Sequence, residues 1–320
     1  AKMLWRDSPD PGVHSAAAHL LRTYGREDGL SAPADESPAD ALDAGRRWWV
    51  APHGATFAIL PGPIEFTMGS SANEAYHESF FECLHRVRIP RSVAISTTEV
   101  TVEQFLKFRS DFDVSRDYTP DPDCPVTSME FYDALRYCRL LSQEEGLDES
   151  QMCYPSLEEI RPGMEPFPDS LERTGYRLLT EAEWEYACRA GSVTSRHYGQ
   201  SDELLPQYAW TFQTAPYIAR KVGRLLPNDF GLFDMLGNAM EYTQNADHDY
   251  ERGPLGSAVE DRLDTEAFKG ENRIRRRGGA FLFQPADARS AHRDVSNSLG
   301  PDLKFPFLGF RIARTVKNHP

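Results

Sequence analysis

The segment from residue 228 to residue 242 most constrains what this chain can fold into. It mixes apolar residues with glycines and with two carboxylates. Neither the helical period nor the strand period accounts for this mixture. Gly231, Gly237 and Asn238 are residue types that tolerate a positive φ, so the segment predicts a tight, irregular backbone.

The two carboxylates of this segment, Asp234 and Glu241, are seven positions apart. On an irregular backbone both could turn their oxygens towards one point, with backbone carbonyls between them. Hard cations such as calcium prefer an all-oxygen shell of this kind. The spacing is also compatible with a buried turn whose two acids are solvated, and the residues alone leave both interpretations open.

Composition excludes several classes of partner. The formal net charge is -14, whereas general nucleic-acid binders and binders of anionic membranes need a positive surface. No apolar run approaches the ~20 residues of a membrane span, and the first residues lack the apolar core of a secretion signal. We therefore expect no nucleic-acid partner, no membrane partner and a cytoplasmic location.

Five cysteines stand at positions 83, 124, 138, 153 and 188, and none forms a CxxC pair. This spacing argues against zinc-ribbon and thioredoxin chemistry. An odd count without a secretion signal predicts reduced thiols, as in a cytoplasm. Cys138 and Cys188 lie within helical patterns and are expected in the core.

The chain changes character near Trp48. Residues 9–25 carry an apolar stripe at helical spacing and predict a helix, and the stretch 31–44, rich in Ala, Pro, Ser and Asp, predicts a linker. Short strand-like runs follow from Trp48 onward. We divide the chain into residues 1–47, a helix and linker that could end a preceding helical region, and residues 48–320, the main domain.

Helices are also predicted within the main domain. Thr101 is a suitable cap for one, residues 128–145 form a second, and a capping-box pattern of Thr180 and Glu183 opens a third.

Eight short motifs follow one another in a fixed order over roughly residues 48–315. They occupy residues 66–70, 98–105, 125–138, 176–191, 228–242, 277–280, 289–293 and 309–311. In this order they resemble the formylglycine-generating enzyme family, also called the sulfatase-modifying factor domain. The resemblance implies an α+β domain related to the C-type lectin fold, with long loops and little regular secondary structure.

The resemblance also implies a structural calcium ion. In the calcium loop of this family an acidic or amide side chain, two backbone carbonyls and a glutamate surround the ion. By motif alignment these positions fall on Asp234, Gly237, Ala239 and Glu241.

The catalytic part of the family pattern is missing. Catalytic members oxidise a substrate cysteine with oxygen and bind copper through two cysteines, which align with Phe283 and Ala288. No cysteine follows Cys188, and Cu(I) needs thiolate ligands. No copper and no sulfatase activation are therefore expected. A related three-histidine iron site is not expected either, because the histidines here are scattered.

Two functional hypotheses remain open. The first is a non-catalytic module that binds a protein or a small ligand, either as the C-terminal recognition domain of a longer bacterial signalling protein or as a variable protein diversified by a retroelement. The second is a metal-dependent oxidoreductase with altered chemistry. In the first, the recognition residues lie within 277–311. The candidates are Phe281, Phe283, Gln284, Asp287, His292, Asp294, Ser296 and Asn297.

Two further clusters each have two interpretations. Asp247, His248 and Asp249 could act in acid–base chemistry or form a solvated loop. The basic run from Arg273 to Arg277 could bind phosphate or an acidic partner, or it could be a strand whose arginines pair with the surplus carboxylates of the chain.

Overall fold

The computed structural model describes residues 1–26, 37–250, 257–270, 273–294 and 300–317. It is a mixed α and β structure with 24% helix and 18% strand, which confirms the predicted α+β class with little regular secondary structure. Six α-helices are described: α1 (Lys2–Asp7), α2 (Pro11–Thr23), α3 (Pro38–Asp43), α4 (Val102–Leu106), α5 (Phe131–Glu144) and α6 (Glu181–Arg189).

The described strands are short and are spread from Trp48 to Val316. They are β1 (Trp48–Val50), β2 (Thr56–Leu60), β3 (Ile64–Met68), β4 (His85–Ile89), β5 (Ser92–Ser96), β6 (Tyr176–Leu178), β7 (Ala209–Trp210), β8 (Leu236–Gly237), β9 (Met240–Ala246), β10 (Val259–Glu260), β11 (Ile274–Arg277), β12 (Leu308–Gly309) and β13 (Ile312–Val316).

A five-stranded sheet in the order β1-β2-β5-β13-β6 forms the centre of the domain. All its pairings are antiparallel, and β13, from the end of the chain, lies between β5 and β6. Two three-stranded sheets, β10-β4-β3 and β11-β9-β12, and the pair β7-β8 surround it. The central sheet therefore pairs strands that are far apart in the sequence.

The central sheet separates two hydrophobic clusters. Successive strand residues point to opposite faces, so Phe57 and Ile59 of β2 pack in one cluster while Ala58 and Leu60 pack in the other. Helix α5 contributes to the first cluster and α6 to the second. Hence each face of the sheet is covered by one of the longer helices.

Two of the predicted helix starts in the domain are confirmed, while the helix predicted over residues 128–145 begins at Phe131. Thr101 accepts a hydrogen bond from the backbone N–H of Gln104 at 3.2 Å, and Thr180 accepts one from Glu183 at 3.1 Å; both form complete capping boxes. Helix α6 is followed by its C-cap Ala190, which has a φ of 47°.

The N-terminal helix is also confirmed, with Asp10 as its N-cap. Its buried His14 stacks on Trp48, with ring centroids 3.8 Å apart, and on Trp5 at 5.8 Å. The stretch predicted as a linker contains the short helix α3. Ser37 caps that helix through the N–H of Asp40, and a proline at the first helical position fits the start of the helix. Residues 31–36 lie outside the described ranges.

Candidate functional site

The loop that was predicted to bind calcium has the irregular backbone that its residues indicate. Positive φ angles occur at Gly231 (79°), Asp234 (54°), Gly237 (79°) and Asn238 (56°). Asp234 is buried. Its Oδ2 accepts a hydrogen bond from the N–H of Gly223 at 2.7 Å, whereas Oδ1 has no hydrogen-bond partner in the described part of the chain.

Glu241, the second predicted carboxylate, lies on β9 and is held by protein donors. The guanidinium of Arg311 donates to both carboxylate oxygens at 2.7–2.9 Å, and the indole N–H of Trp184 donates to Oε2 at 2.8 Å. All three side chains are at most 2% exposed. The carboxylate of Glu241 is therefore already paired with the positive charge of Arg311.

A third carboxylate, which the sequence did not single out, completes this cluster. Glu99 is buried, and its Oε1 accepts a hydrogen bond from the N–H of Ala239 at 3.3 Å, while Oε2 has no partner among the described residues. Burial, together with the charge of Asp234, raises the pKa of Glu99 well above its usual range. Burial also raises the pKa of Asp234 to about 6.

The donor set fits a hard cation in part. Asp234 Oδ1 and Glu99 Oε2 are buried carboxylate oxygens that receive no hydrogen bond from the described residues, and such oxygens suit calcium. Glu241, in contrast, is occupied by Arg311. Within the described ranges, no group of three or more His, Cys, Asp and Glu side chains is arranged to hold a metal ion. The calcium site, which also counts the carbonyls of Gly237 and Ala239, stays a prediction.

The two positions aligned with the copper-binding cysteines do not fit copper. Phe283 is half-buried and packs against the first hydrophobic cluster, with its ring 4.9 Å from that of Phe307. Ala288 is 1% exposed and belongs to the second cluster. Neither side chain has an atom that can coordinate copper, so no step of copper chemistry can be assigned to these two residues.

None of the five cysteines forms a disulfide. Four of them are buried, and burial raises the pKa of these four thiols: Cys124, Cys138, Cys153 and Cys188. The expected core positions of Cys138 and Cys188 are confirmed.

The candidate recognition residues occupy different environments. Gln284 is exposed, and Asp287 and Phe283 are half-buried. Phe281, His292 and Asp294 are buried, so a ligand cannot contact them in this conformation. Phe281 is buried because it packs on Ala215 and Ala219, and Asp294 is buried where it pairs with Arg276 at 2.9 Å. Ser296 and Asn297 lie outside the described residues.

Aromatic side chains from other segments gather around Phe283. The carbonyl of Phe283 accepts a hydrogen bond from the N–H of Phe212 at 2.9 Å. Phe212 contacts Tyr217 edge-on at 5.4 Å, and Phe307 lies 5.4 Å from Phe305. Tyr217 is 62% exposed. We call these five residues the aromatic rim; no local pattern in the sequence indicates that they meet.

The basic run is part of β11 and is internally paired. Arg275 pairs with Asp247, Arg276 with Asp294 and Arg277 with Glu185. These three arginines are at most 2% exposed. This arrangement matches the interpretation of a strand paired with carboxylates, and it removes these arginines from the surface.

The chain is similar to a family model, to two known proteins and to a solved structure. A family model described as the sulfatase-modifying factor enzyme 1-like domain matches residues 50–316. The serine/threonine-protein kinase pkn1 of Chlamydia pneumoniae is 34% identical over 145 residues, which are 45% of this chain and 22% of that kinase. The formylglycine-generating enzyme of Mycobacterium tuberculosis is 36% identical over 92 residues, 24% of this chain and 30% of that enzyme. The chain therefore spans less than a third of either relative.

The solved structure is that of a variable protein. Treponema denticola variable protein 1 matches with a TM-score of 0.67 at 21% identity, over 82% of this chain and 95% of that protein. At this identity the likeness shows the fold alone. In the described residues, no helix combines the length and the apolar character needed to cross a bilayer.

Proposed function

The chain belongs to the sulfatase-modifying factor enzyme 1-like domain family, and from this premise we propose that it is a non-catalytic recognition module. One observation carries the proposal. Phe283 and Ala288, at the positions of the copper-binding cysteines, are packing residues without donor atoms, and they belong to two separate hydrophobic clusters.

The aromatic rim supplies the contact surface in this proposal. Half-exposed aromatic side chains provide a large contact area at a small cost in conformational entropy, which is why they are enriched in recognition surfaces. Gln284 and Asp287 lie beside Phe283 in the chain and add polar groups at its edge. The bound partner is a protein or a small ligand.

Two similar proteins support this role. One, Treponema denticola variable protein 1, shares the fold; the other, a protein kinase of Chlamydia pneumoniae, shares part of the sequence. A recognition module within a longer signalling protein, or a variable binding protein, is consistent with both. Five cysteines without a disulfide are consistent with a reducing compartment such as the cytoplasm.

A matched pair of tyrosines tests the contact surface. Tyr217 and Tyr76 have φ angles of 66° and 65° and are 62% and 61% exposed, so replacement by glycine relieves the same backbone strain at both. Peptides are first selected from a displayed library on the intact chain. We expect Tyr217→Gly to weaken their binding and Tyr76→Gly to leave it unchanged. Equal effects of the two variants contradict a role for the aromatic rim.

A second experiment tests the alternative function, a metal-dependent oxidoreductase. The purified chain is analysed for copper and iron and incubated with a thiol peptide in an oxygen electrode. Stoichiometric copper or iron together with thiol-dependent oxygen consumption would overturn the proposal of a non-catalytic module.

A further inference from the structure

The N-terminal helical segment carries a concentration of exposed apolar side chains. Twelve large hydrophobic residues are exposed in the described ranges, and five of them lie within residues 1–24. These five are Met3 and Leu4 of α1, Val13 and Leu20 of α2, and Tyr24 directly after α2. The other seven are distributed over residues 76–303. Because clustered apolar exposure marks interaction surfaces, whereas single exposed residues are ordinary, this segment indicates a contact surface.

Helix α2 exposes its apolar residues along one line. An α-helix turns by about 100° per residue, so Val13, Leu20 and Tyr24 lie within about 40° of one another around the helix axis. Ala16, beside them, is also exposed. The resulting steps of three and four positions are typical of a helix that packs against another helix. We call Val13, Ala16, Leu20 and Tyr24 the outer stripe of α2.

The domain covers a different face of the same helix. His14, Ala18 and Leu21 are buried, and they lie about 100–160° from Leu20 around the helix axis. The ring of His14 stacks on Trp48 with centroids 3.8 Å apart. The apolar sector of α2 is therefore wider than the part that the domain covers, and the outer stripe is left for a further contact.

A cavity lies beside the N-terminal half of the outer stripe. It has a volume of about 490 Å³, and its apolar lining comes from Val13 and Ala16 on one side and from Tyr208, Leu226 and Pro227 on the other. A cavity between apolar side chains next to an exposed stripe can receive a side chain from a second helix, as a hole receives a knob. No residue of the aromatic rim lines this cavity, so it is a separate part of the surface.

The two ends of the outer stripe carry opposite charges. Asp10 and Asp229 line the cavity at the N-terminal end of α2. Asp10 pairs with Arg47 at 3.0 Å, and Asp229 is exposed. Arg26, just beyond the C-terminal end of α2, is also exposed. A second copy of the stripe in parallel orientation would place acid against acid, whereas an antiparallel copy brings Arg26 of each chain to Asp229 of the other. The charges therefore make the stripe complementary to itself in the antiparallel orientation.

We propose that the outer stripe of α2 is the contact surface of a homodimer, in which α2 of a second copy lies antiparallel across a two-fold axis. In such an interface every contact occurs twice. Tyr24 of one copy enters the cavity beside Val13 of the other copy. A single pair of helices is a small interface, so the dimer is weak and reversible. The aromatic rim takes no part in it, and failure of either proposal leaves the other intact.

The first test measures the mass of the whole chain by sedimentation equilibrium, at concentrations from about 1 µM to 1 mM. We expect the mass to rise from 36.2 kDa towards twice this value. Leu20→Glu should weaken association about a hundredfold, because two copies of the leucine lose an apolar contact. The control is Leu84→Glu, which replaces a leucine of similar exposure, 53% against 47%, outside α2. It should leave association unchanged, and thermal unfolding shows that both variants are folded.

The second test reverses charges to check the orientation. Arg26→Glu and Asp229→Arg each place like charges together at both ends of the interface and should weaken the dimer about two- to thirtyfold. The double variant restores opposite charges in an antiparallel dimer and should regain the association of the wild type. A mass of 36.2 kDa at every concentration, equal effects of the two leucine variants, or a double variant as weak as the single ones would overturn the proposal.

Discussion

Arg311 and Glu241 form a two-pronged ion pair in the interior of the domain, with N–O distances of 2.7–2.9 Å and side chains that are each 1% exposed. Arg311 also donates to the carbonyls of Ser96 and Phe233 at 3.2 and 3.0 Å. The pair therefore ties the end of the chain to the irregular loop and to strand β5.

Removing Arg311 should destabilise the fold strongly. Arg311→Met leaves the carboxylate of Glu241 buried without its counter-ion, and the loss of one partner of a buried pair costs about 3–5 kcal/mol. The free energy of unfolding is measured by urea titration. The control is Arg86→Met, whose pair with Glu65 is about half-exposed and should cost about 0.2–1 kcal/mol. A similar loss in both variants would contradict the structural role of the pair.

Calcium should stabilise the chain through Asp234 and Glu99. A ligand that binds only the folded state adds about 2.7 kcal/mol of stability at a concentration one hundred times its Kd. Thermal unfolding is compared in excess calcium and after removal of metal with a chelator, with magnesium as the control ion. We expect Asp234→Asn and Glu99→Gln each to reduce the calcium-dependent shift. An unchanged melting temperature in calcium would count against the site.

Acidification should loosen the N-terminal helices through His14. Burial lowers the pKa of His14 from 6.5 to about 4, so between these values the unfolded state binds the proton and the folded state does not. The contribution of neutral His14 is therefore complete above pH 6.5 and is lost as the pH falls to about 4. A shift of this size corresponds to about 3 kcal/mol.

This pH dependence is measured as the free energy of unfolding of the wild type and of His14→Gln at several pH values, with tryptophan fluorescence as the probe of unfolding. We expect a flatter pH dependence in the variant. Parallel curves for the two proteins would exclude His14 as the responsible group.

A side chain at Gly231 should displace helix α2. A Cβ at this position would lie 2.3 Å from the carbonyl oxygen of Pro11, whereas one at Gly45, which has a similar φ of 75°, would meet nothing within 4 Å. Gly45→Ala should cost about 1–2 kcal/mol for its left-handed backbone alone. We expect Gly231→Ala to cost about 1–3 kcal/mol more because of the clash. Urea unfolding of both variants checks this, and equal costs would show that the contact with α2 yields easily.

The sequence by itself determined the features that depend on neighbouring residues. Gly231, Gly237 and Asn238 required an irregular backbone, because few other residue types adopt a positive φ without strain. Thr101 and Thr180 marked helix starts, because a capping hydroxyl needs only the next three residues. The absence of thiols at Phe283 and Ala288 excluded copper ligation at these positions, since ligand chemistry follows from residue type.

Only the tertiary structure decided which distant residues meet. Glu99 contacts the loop of Asp234 through the N–H of Ala239, 140 positions further along the chain, and the aromatic rim forms because two distant segments meet the one that holds Phe283. The tertiary structure also decided which side chains are buried. His292 looks like a surface residue in the sequence but lies inside the domain. Such contacts depend on long-range packing, which the period and spacing of a single segment do not encode.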